Sequence, residues 1–130
     1  MDENLEERID FYIHRLIGPH AEDAWHSLNE IGHKGVPLLI ERFNKASADL
    51  RPKLIEIIAS TSGPYLDFYA QALNDPDKAV WNQAVTGLCR IGSAEAFQVL
   101  KMAYATIRER TPDKPVIKYL LEAIDANMWR

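Results

Sequence analysis

The side chains of this chain with the widest chemical capacity are four histidines and one cysteine. The histidines, His14, His20, His26 and His33, follow one another at spacings of 6, 6 and 7 residues. Neighbours on one helix face are three or four residues apart, so this spacing does not group them. Cys89 has no second cysteine with which to form a disulfide or a zinc pair. We therefore predict no metal site, and we interpret His20 as a half-buried core histidine and Cys89 as an inert, buried thiol.

Motifs typical of catalysis or phosphate binding are missing from the sequence. It contains no glycine-rich phosphate loop and no G-x-S-x-G nucleophile motif. Acidic pairs such as Glu6–Glu7 and Glu22–Asp23 are adjacent in sequence, and adjacent residues on a helix point in different directions. We therefore predict that the chain is not an enzyme and binds no cofactor.

Small and apolar residues recur every 30 residues, with one six-residue insertion before Val116. Their offsets of 0, 4, 7 and 8 mark one face of an α-helix. The equivalent positions, which we call columns, are His20, Leu50, Val80 and Val116; Ala24, Leu54, Ala84 and Leu120; Ser27, Ile57, Gly87 and Ala123; and Leu28, Ile58, Leu88 and Ile124.

A second helix is predicted in the other half of each repeat. Its columns are Val36, Leu66 and Ala96; Leu39, Tyr69 and Val99; Ile40, Ala70 and Leu100; and Phe43, Leu73 and Ala103. Two helices per repeat at this period predict an α-solenoid, whose usual role is to hold a partner. The predicted fold is all-α, a right-handed α-α superhelix of about eight helices in a single domain, 1–130.

The predicted order of elements is a capping helix, three helix pairs and an unpaired last helix. The capping helix covers 1–17, the pairs cover 20–45, 50–73 and 78–110, and the last helix covers 116–129. Glu6, Glu7 and Asp10 are expected on the polar outer face of the capping helix. Ser93 and the turn that ends at Asp77 are expected to cap the helices that follow them.

Gly87 is predicted to allow a close approach between helices, because it lies in a core column in the middle of a helix. A glycine there costs about 1 kcal/mol relative to alanine, which close packing could offset. We predict that Gly87→Leu disrupts packing between the sixth and seventh helices.

The composition and the net charge indicate which class of partner and which cellular compartment to expect. The net charge is −4 and the pI is near 5.5, which argues against general affinity for nucleic acid and suits a basic protein partner. The N-terminus lacks the basic start of a signal peptide, and no run reaches the ~18 apolar residues of a membrane span. We expect a cytoplasmic protein that does not enter a membrane.

The segment from Asp75 to Ala96 resembles a HEAT-like repeat. It has the D-P-D turn, a valine at the helix start, and the small and apolar residues that lead to Ile91–Gly92. Leu28–Gly32 followed by Val36–Leu39 resembles the same joint one repeat earlier. The resemblance implies a stack of helix pairs that holds a partner, and it implies no catalytic residues.

In HEAT-like stacks the second helices of the pairs line the concave side, so we expect the partner there. The candidate contact residues are Leu38, Glu41, Arg42, Tyr65, Asp67, Phe68, Gln71, Gln98, Lys101 and Met102. Tyr65 and Phe68 lie off the apolar stripe of their helix and are either exposed binding anchors or packed on a bent neighbouring helix.

The last helix is a second candidate surface, because no second helix follows it. Ile117 and Leu121 would then form an apolar edge that favours a partner or a weak homodimer, unless Trp129 folds back over it.

Three functions follow from these observations. The leading hypothesis is a non-enzymatic protein-binding module that covers a partner surface, such as a small bacterial inhibitor, an antitoxin-like immunity protein or an adaptor. The alternatives are a nucleic-acid-binding HEAT-like protein and an accessory factor similar to the HEAT-like repeats of cofactor lyases.

Overall fold

The computed structural model describes residues 3–61 and 63–127, which are mainly helical and contain no β-strand. The all-α prediction is confirmed. The contacts of the chain divide it into two compact units, Met1–Gly63 and Pro64–Arg130, which we call unit 1 and unit 2. Residues 128 and 129 of the predicted last helix, including Trp129, lie outside the described residues.

Unit 1 contains α1 (Glu3–His14), α2 (Ala21–Ile31), a 3₁₀ turn (Gly32–Gly35), α3 (Val36–Lys45) and α4 (Arg51–Ser60). The helix α1 contacts α2 and α3, and α4 contacts both α2 and α3. The helix α1 ends at His14, three residues before its predicted end at Ile17. The N–H groups of Arg15 and Leu16 donate to carbonyls three residues back, and Gly18 takes a φ of 126°.

Prolines rather than side-chain caps begin two of the helices of unit 1. Pro37 and Pro52 lie in the first turns of α3 and α4, where the missing N–H costs little. Neither helix has a side-chain hydrogen bond at its N-cap. A hydrogen bond of 2.7 Å from Ser60 Oγ to Asn29 Oδ1 joins α4 to α2.

Unit 2 contains α5 (Leu66–Ala72), α6 (Lys78–Ile91), α7 (Ala94–Arg110) and α8 (Val116–Asn127). The helix α6 contacts α5, α7 and α8, and α7 contacts α5 and α8. The predicted caps are confirmed. Asp77 accepts a hydrogen bond from the Ala79 N–H, and Ser93 accepts one from the Ala96 N–H.

The predicted columns are largely the core. One of them is almost completely buried at every position, with exposed fractions of 1% or less for Ala24, Leu54, Ala84 and Leu120. His20 is an exception, and its prediction as a half-buried core residue is wrong. It occupies the N-cap of α2, before the first helical turn, and its side chain is exposed.

Gly87 allows a close approach, but to a different helix from the one predicted. A β-carbon at Gly87 would lie 2.6 Å from both Cε1 and Cζ of Tyr69, which belongs to α5 rather than α7. Tyr69 is 1% exposed, so its ring has little room to move. The contact therefore requires glycine at position 87. The same burial of the Tyr69 side chain raises the pKa of its phenol to about 12.

Candidate partner-binding surface

An apolar groove lies between α5 and α7 in unit 2. Its lining residues are Ala70, Asn74, Val99, Met102, Ala103, Thr106 and Ile107, and its volume is about 240 Å³. Five of these residues follow the spacing 99, 102, 103, 106 and 107, which places them along one face of α7. The groove therefore runs beside about 12 Å of helix, a little over two turns.

Met102 is the most exposed large apolar side chain described in unit 2. It is 69% exposed, compared with 42% for Leu121 on α8. The residues of α7 that face the core are Ala96, Leu100 and Ile107, so Met102 lies beyond the buried stripe. An exposed methionine beside an apolar groove is typical of surfaces that bind varied partners.

The groove exists because two columns hold alanine. The sequence pattern placed Ala70 and Ala103 in the core, where the other members of their columns include Leu100 and Phe43. Both alanines are half-buried and line the groove instead. Their small size was the sequence signal for a depression, but their apolar character placed them in the core columns.

Four more of the predicted contact residues are exposed in unit 2. They are Asp67 and Gln71 on α5 and Gln98 and Lys101 on α7. The Lys101 Nζ lies 5.2 Å from the ring centroid of Phe97, on the same helix. The structure thus brings α5 and α7 together, while a strip that continues to α3 stays a prediction.

Phe68 is packed rather than exposed. It is 8% exposed, and its ring centroid lies 5.6 Å from that of Tyr69. The short helix α5 contacts both α6 and α7, so side chains on more than one of its faces are covered. Tyr65, at the N-cap of α5, is half-buried. Of the two alternatives for Phe68, an exposed anchor is therefore wrong.

Leu38 is a second correction to the predicted strip. Its exposed fraction is 8%. The helix α3 contacts α1, α4 and the 3₁₀ turn, so burial extends beyond its predicted stripe. An exposed role for Leu38 is therefore wrong as well.

Arg42 is bound within unit 1. Its Nε donates to Asp10 Oδ1 at 2.8 Å, its Nη2 donates to Glu6 Oε1 at 3.0 Å, and its Nη1 donates to the exposed Glu41 at 3.2 Å. The hydrogen bond from Arg42 holds the pKa of Asp10 below its ordinary value. Glu6 and Asp10 therefore face α3, and their prediction as part of an outer polar face is wrong.

Unit 1 has its own concavities, but charged groups line them. The cleft with Leu16, Trp25 and Lys53 has a volume of about 460 Å³ and also includes Glu22 and Glu56. On α1, a second concavity of about 570 Å³ is lined by Glu7, Arg8 and the 52% exposed Phe11. A protein side chain that entered either place would have to displace water from charges, whereas the groove of unit 2 carries no charged lining residue.

The histidines and the cysteine do not form a site in the described part of the chain. All four histidines are exposed, and Cys89 is half-buried rather than buried as predicted. His26 Nε2 lies 3.8 Å from Glu22 Oε1, one helical turn away. Among residues 3–61 and 63–127, no group of three or more His, Cys, Asp or Glu side chains is arranged to hold a metal ion.

The comparisons with known proteins give no relative. No protein-family model, curated protein or solved structure matches this chain. The HEAT-like family therefore stays a prediction. So do the cytoplasmic location and the choice between a monomer and a weak homodimer through the last helix. Within the described ranges, no helix has both the length and the apolar character needed to cross a bilayer.

Proposed function

We propose that this chain is a non-enzymatic protein-binding module that covers a partner surface with the α5–α7 groove. The observation that carries the proposal is the 69% exposure of Met102 beside an apolar depression. Methionine is enriched at protein interfaces, and a few large side chains that fill pockets contribute most of the binding energy. Met102 would bury its side chain against the partner, and the groove would receive a side chain in return.

The size of the groove favours a protein over a small molecule. Its volume of about 240 Å³ is below the range of about 300–1,000 Å³ that is typical of small-molecule pockets. A protein partner needs only to insert one or two side chains there, since the rest of its contact area lies on the surrounding surface.

Contacts within each unit support a HEAT-like arrangement as part of the proposal. In unit 2, α5 contacts α7 and α6 contacts α8, and in unit 1 α2 contacts α4. Each of these is a contact between equivalent helices of successive predicted repeats. A small module of this kind suits a dedicated inhibitor, an immunity protein or an adaptor.

Site-specific photo-crosslinking tests the proposal. A benzoyl-phenylalanine would replace Met102 in the full chain, expressed in the cells from which the gene comes. The matched control carries the same group at Leu121, which is exposed on α8 and does not line the groove. We expect a discrete crosslinked protein from position 102 and not from position 121. Identical products from both positions, or no product from position 102, would contradict the proposal.

Met102→Ala separates binding from stability. Because the side chain is mostly in water, we expect its loss to change the free energy of unfolding by less than about 0.5 kcal/mol. Loss of an interface anchor costs about 2 kcal/mol of binding, or about 30-fold in affinity. Urea unfolding and titration with the crosslinked partner would measure the two quantities, with Leu121→Ala as the control.

A further inference from the structure

The charges at the ends of the groove indicate what kind of segment it receives. On α7, Glu95 lies four residues before the lining residue Val99, and Glu109 lies three residues after the lining residue Thr106. On α5, Asp67 lies three residues before the lining residue Ala70. Spacings of three and four residues put each carboxylate on the groove side of its helix.

These three carboxylates are exposed and available to a partner. None of them forms an ion pair with another residue in the described ranges 3–61 and 63–127. One cation, Arg110, stands three residues after the lining residue Ile107, so acidic groups outnumber basic ones around the groove.

The other cations of α7 lie on a different side of that helix. Lys101 Nζ lies 5.2 Å from the ring centroid of Phe97, and Arg108 Cζ lies 5.8 Å from that of Tyr104. Both rings are four residues earlier on α7, so these two cations lie along the side of the helix that carries Phe97 and Tyr104. Neither ring lines the groove.

The form of the occupant follows from the modes that the groove permits. Strand addition requires a free sheet edge, and the described residues contain no strand. Polyproline segments bind grooves lined by aromatic rings, and the lining of this groove contains none. A groove about 12 Å long between two helices accommodates two turns of a third helix, with apolar anchors three or four residues apart.

We infer that the α5–α7 groove binds a basic amphipathic helix of another protein. Its apolar anchors enter the groove and contact Met102, and its Lys or Arg residues face Glu95 and Asp67 at one end and Glu109 at the other. The two glutamates are 14 residues apart, about 21 Å along α7, so the segment spans about four helical turns. This inference rests on the proposed function and adds the chemistry of the partner to it.

Selection from a displayed library of random peptides about 18 residues long tests the inference. The full chain is the bait, and the Met102→Asp variant removes peptides that bind elsewhere. We expect the retained peptides to be enriched in Lys and Arg on both sides of an apolar pair spaced by three or four residues. Retained peptides without an excess of Lys and Arg would overturn the inference and leave the proposed function standing. If no peptide depends on Met102, both are wrong.

Charge variants provide the second measurement on the best peptide. In Glu95→Gln/Glu109→Gln we expect about tenfold weaker binding at low salt, because two exposed charge pairs with the peptide are lost and association is no longer steered by them. Lys101→Gln is the matched control, since its ammonium lies over Phe97, and we expect no weakening. A peptide with Glu in place of its basic residues should no longer bind the unmodified chain more tightly than the double variant. Equal affinities for the chain and the double variant would overturn the inference.

Discussion

Units 1 and 2 each contain four of the described α-helices, but they differ in how charge is used. Residues 1–63 contain eleven acidic and seven basic side chains, whereas residues 64–130 contain eight of each, so the net charge of −4 belongs to unit 1. Unit 1 joins α1 to α3 through Arg42, Glu6 and Asp10. Unit 2 instead begins α6 and α7 with Asp77 and Ser93 and packs Tyr69 against Gly87.

This difference shows why the net charge of the whole chain is a poor guide to its binding surface. The groove with the exposed Met102 lies in the unit that has no net charge. The carboxylates that matter for a partner are the few within a turn of the groove, because exposed charges act over about 10 Å at ordinary ionic strength. The acidic excess of unit 1 is partly used in its own packing.

Gly87→Leu should produce the largest loss of stability, and we expect the loss to be confined to unit 2. The new β-carbon would overlap the buried Tyr69 ring, and overpacking of this kind costs about 3 kcal/mol. We expect amide hydrogen exchange to lose protection in α6 and α5 before it does so in α3. The control is Asn82→Leu, at an exposed position of the same helix. Equal loss of protection in α3 would break the contrast, since the units would then unfold together.

An alkaline loss of stability is the second expectation, and it belongs to unit 2. Burial raises the pKa of Tyr69 to about 12, so the folded chain keeps this proton after the unfolded chain has lost it near pH 10. The stabilisation is complete below about pH 10 and is lost as the pH rises through about 12. It amounts to between about 2 and 3 kcal/mol, since each pKa unit is worth about 1.4 kcal/mol. Between about pH 10 and 12, urea unfolding should show a smaller loss of stability for Tyr69→Phe than for the unmodified chain. Tyr104→Phe is the control, and it should lose as much stability as the unmodified chain.

An acidic loss of stability is the third expectation, and it belongs to unit 1. The pKa of Asp10 is lowered chiefly by its hydrogen bond with Arg42. The carboxylate of Asp10 therefore contributes to folding stability above its ordinary pKa, and this contribution is lost as the pH falls through the lowered value. Because the side chains of Asp10 and Arg42 are both partly in water, we expect this loss of folding stability to be about 1.5 kcal/mol at most. Asp10→Asn should reduce the acid dependence of urea unfolding, whereas Asp67→Asn, exposed in unit 2, should preserve it.

The smallest effect concerns the caps. Ser93→Ala removes the acceptor for the Ala96 N–H and should cost about 1 kcal/mol, seen as a lower urea midpoint. Ser47→Ala is the comparison in unit 1, where the serine is exposed and is not the N-cap of α4. A cost at Ser47 as large as that at Ser93 would mean that the two units do not differ in their use of caps.

The local features of this protein follow from short stretches of its sequence. The column of Ala24, Leu54, Ala84 and Leu120 is buried as predicted, and Asp77 and Ser93 cap the helices that follow them. These features depend on the 3.6-residue period of one helix and on hydrogen bonds that span two or three residues, so nearby sequence contains the whole signal.

Which side chains are available to a partner depends on contacts between helices that are distant in sequence. Arg42 lies 32 residues from Asp10 and 36 from Glu6, and Phe68 is buried because α5 contacts two helices. The groove arose where α5 and α7 meet at Ala70 and Ala103, which the period assigned to the core. A helical period identifies the face of a helix that is most apolar, but the number and angle of its neighbours decide how much more of that helix is covered.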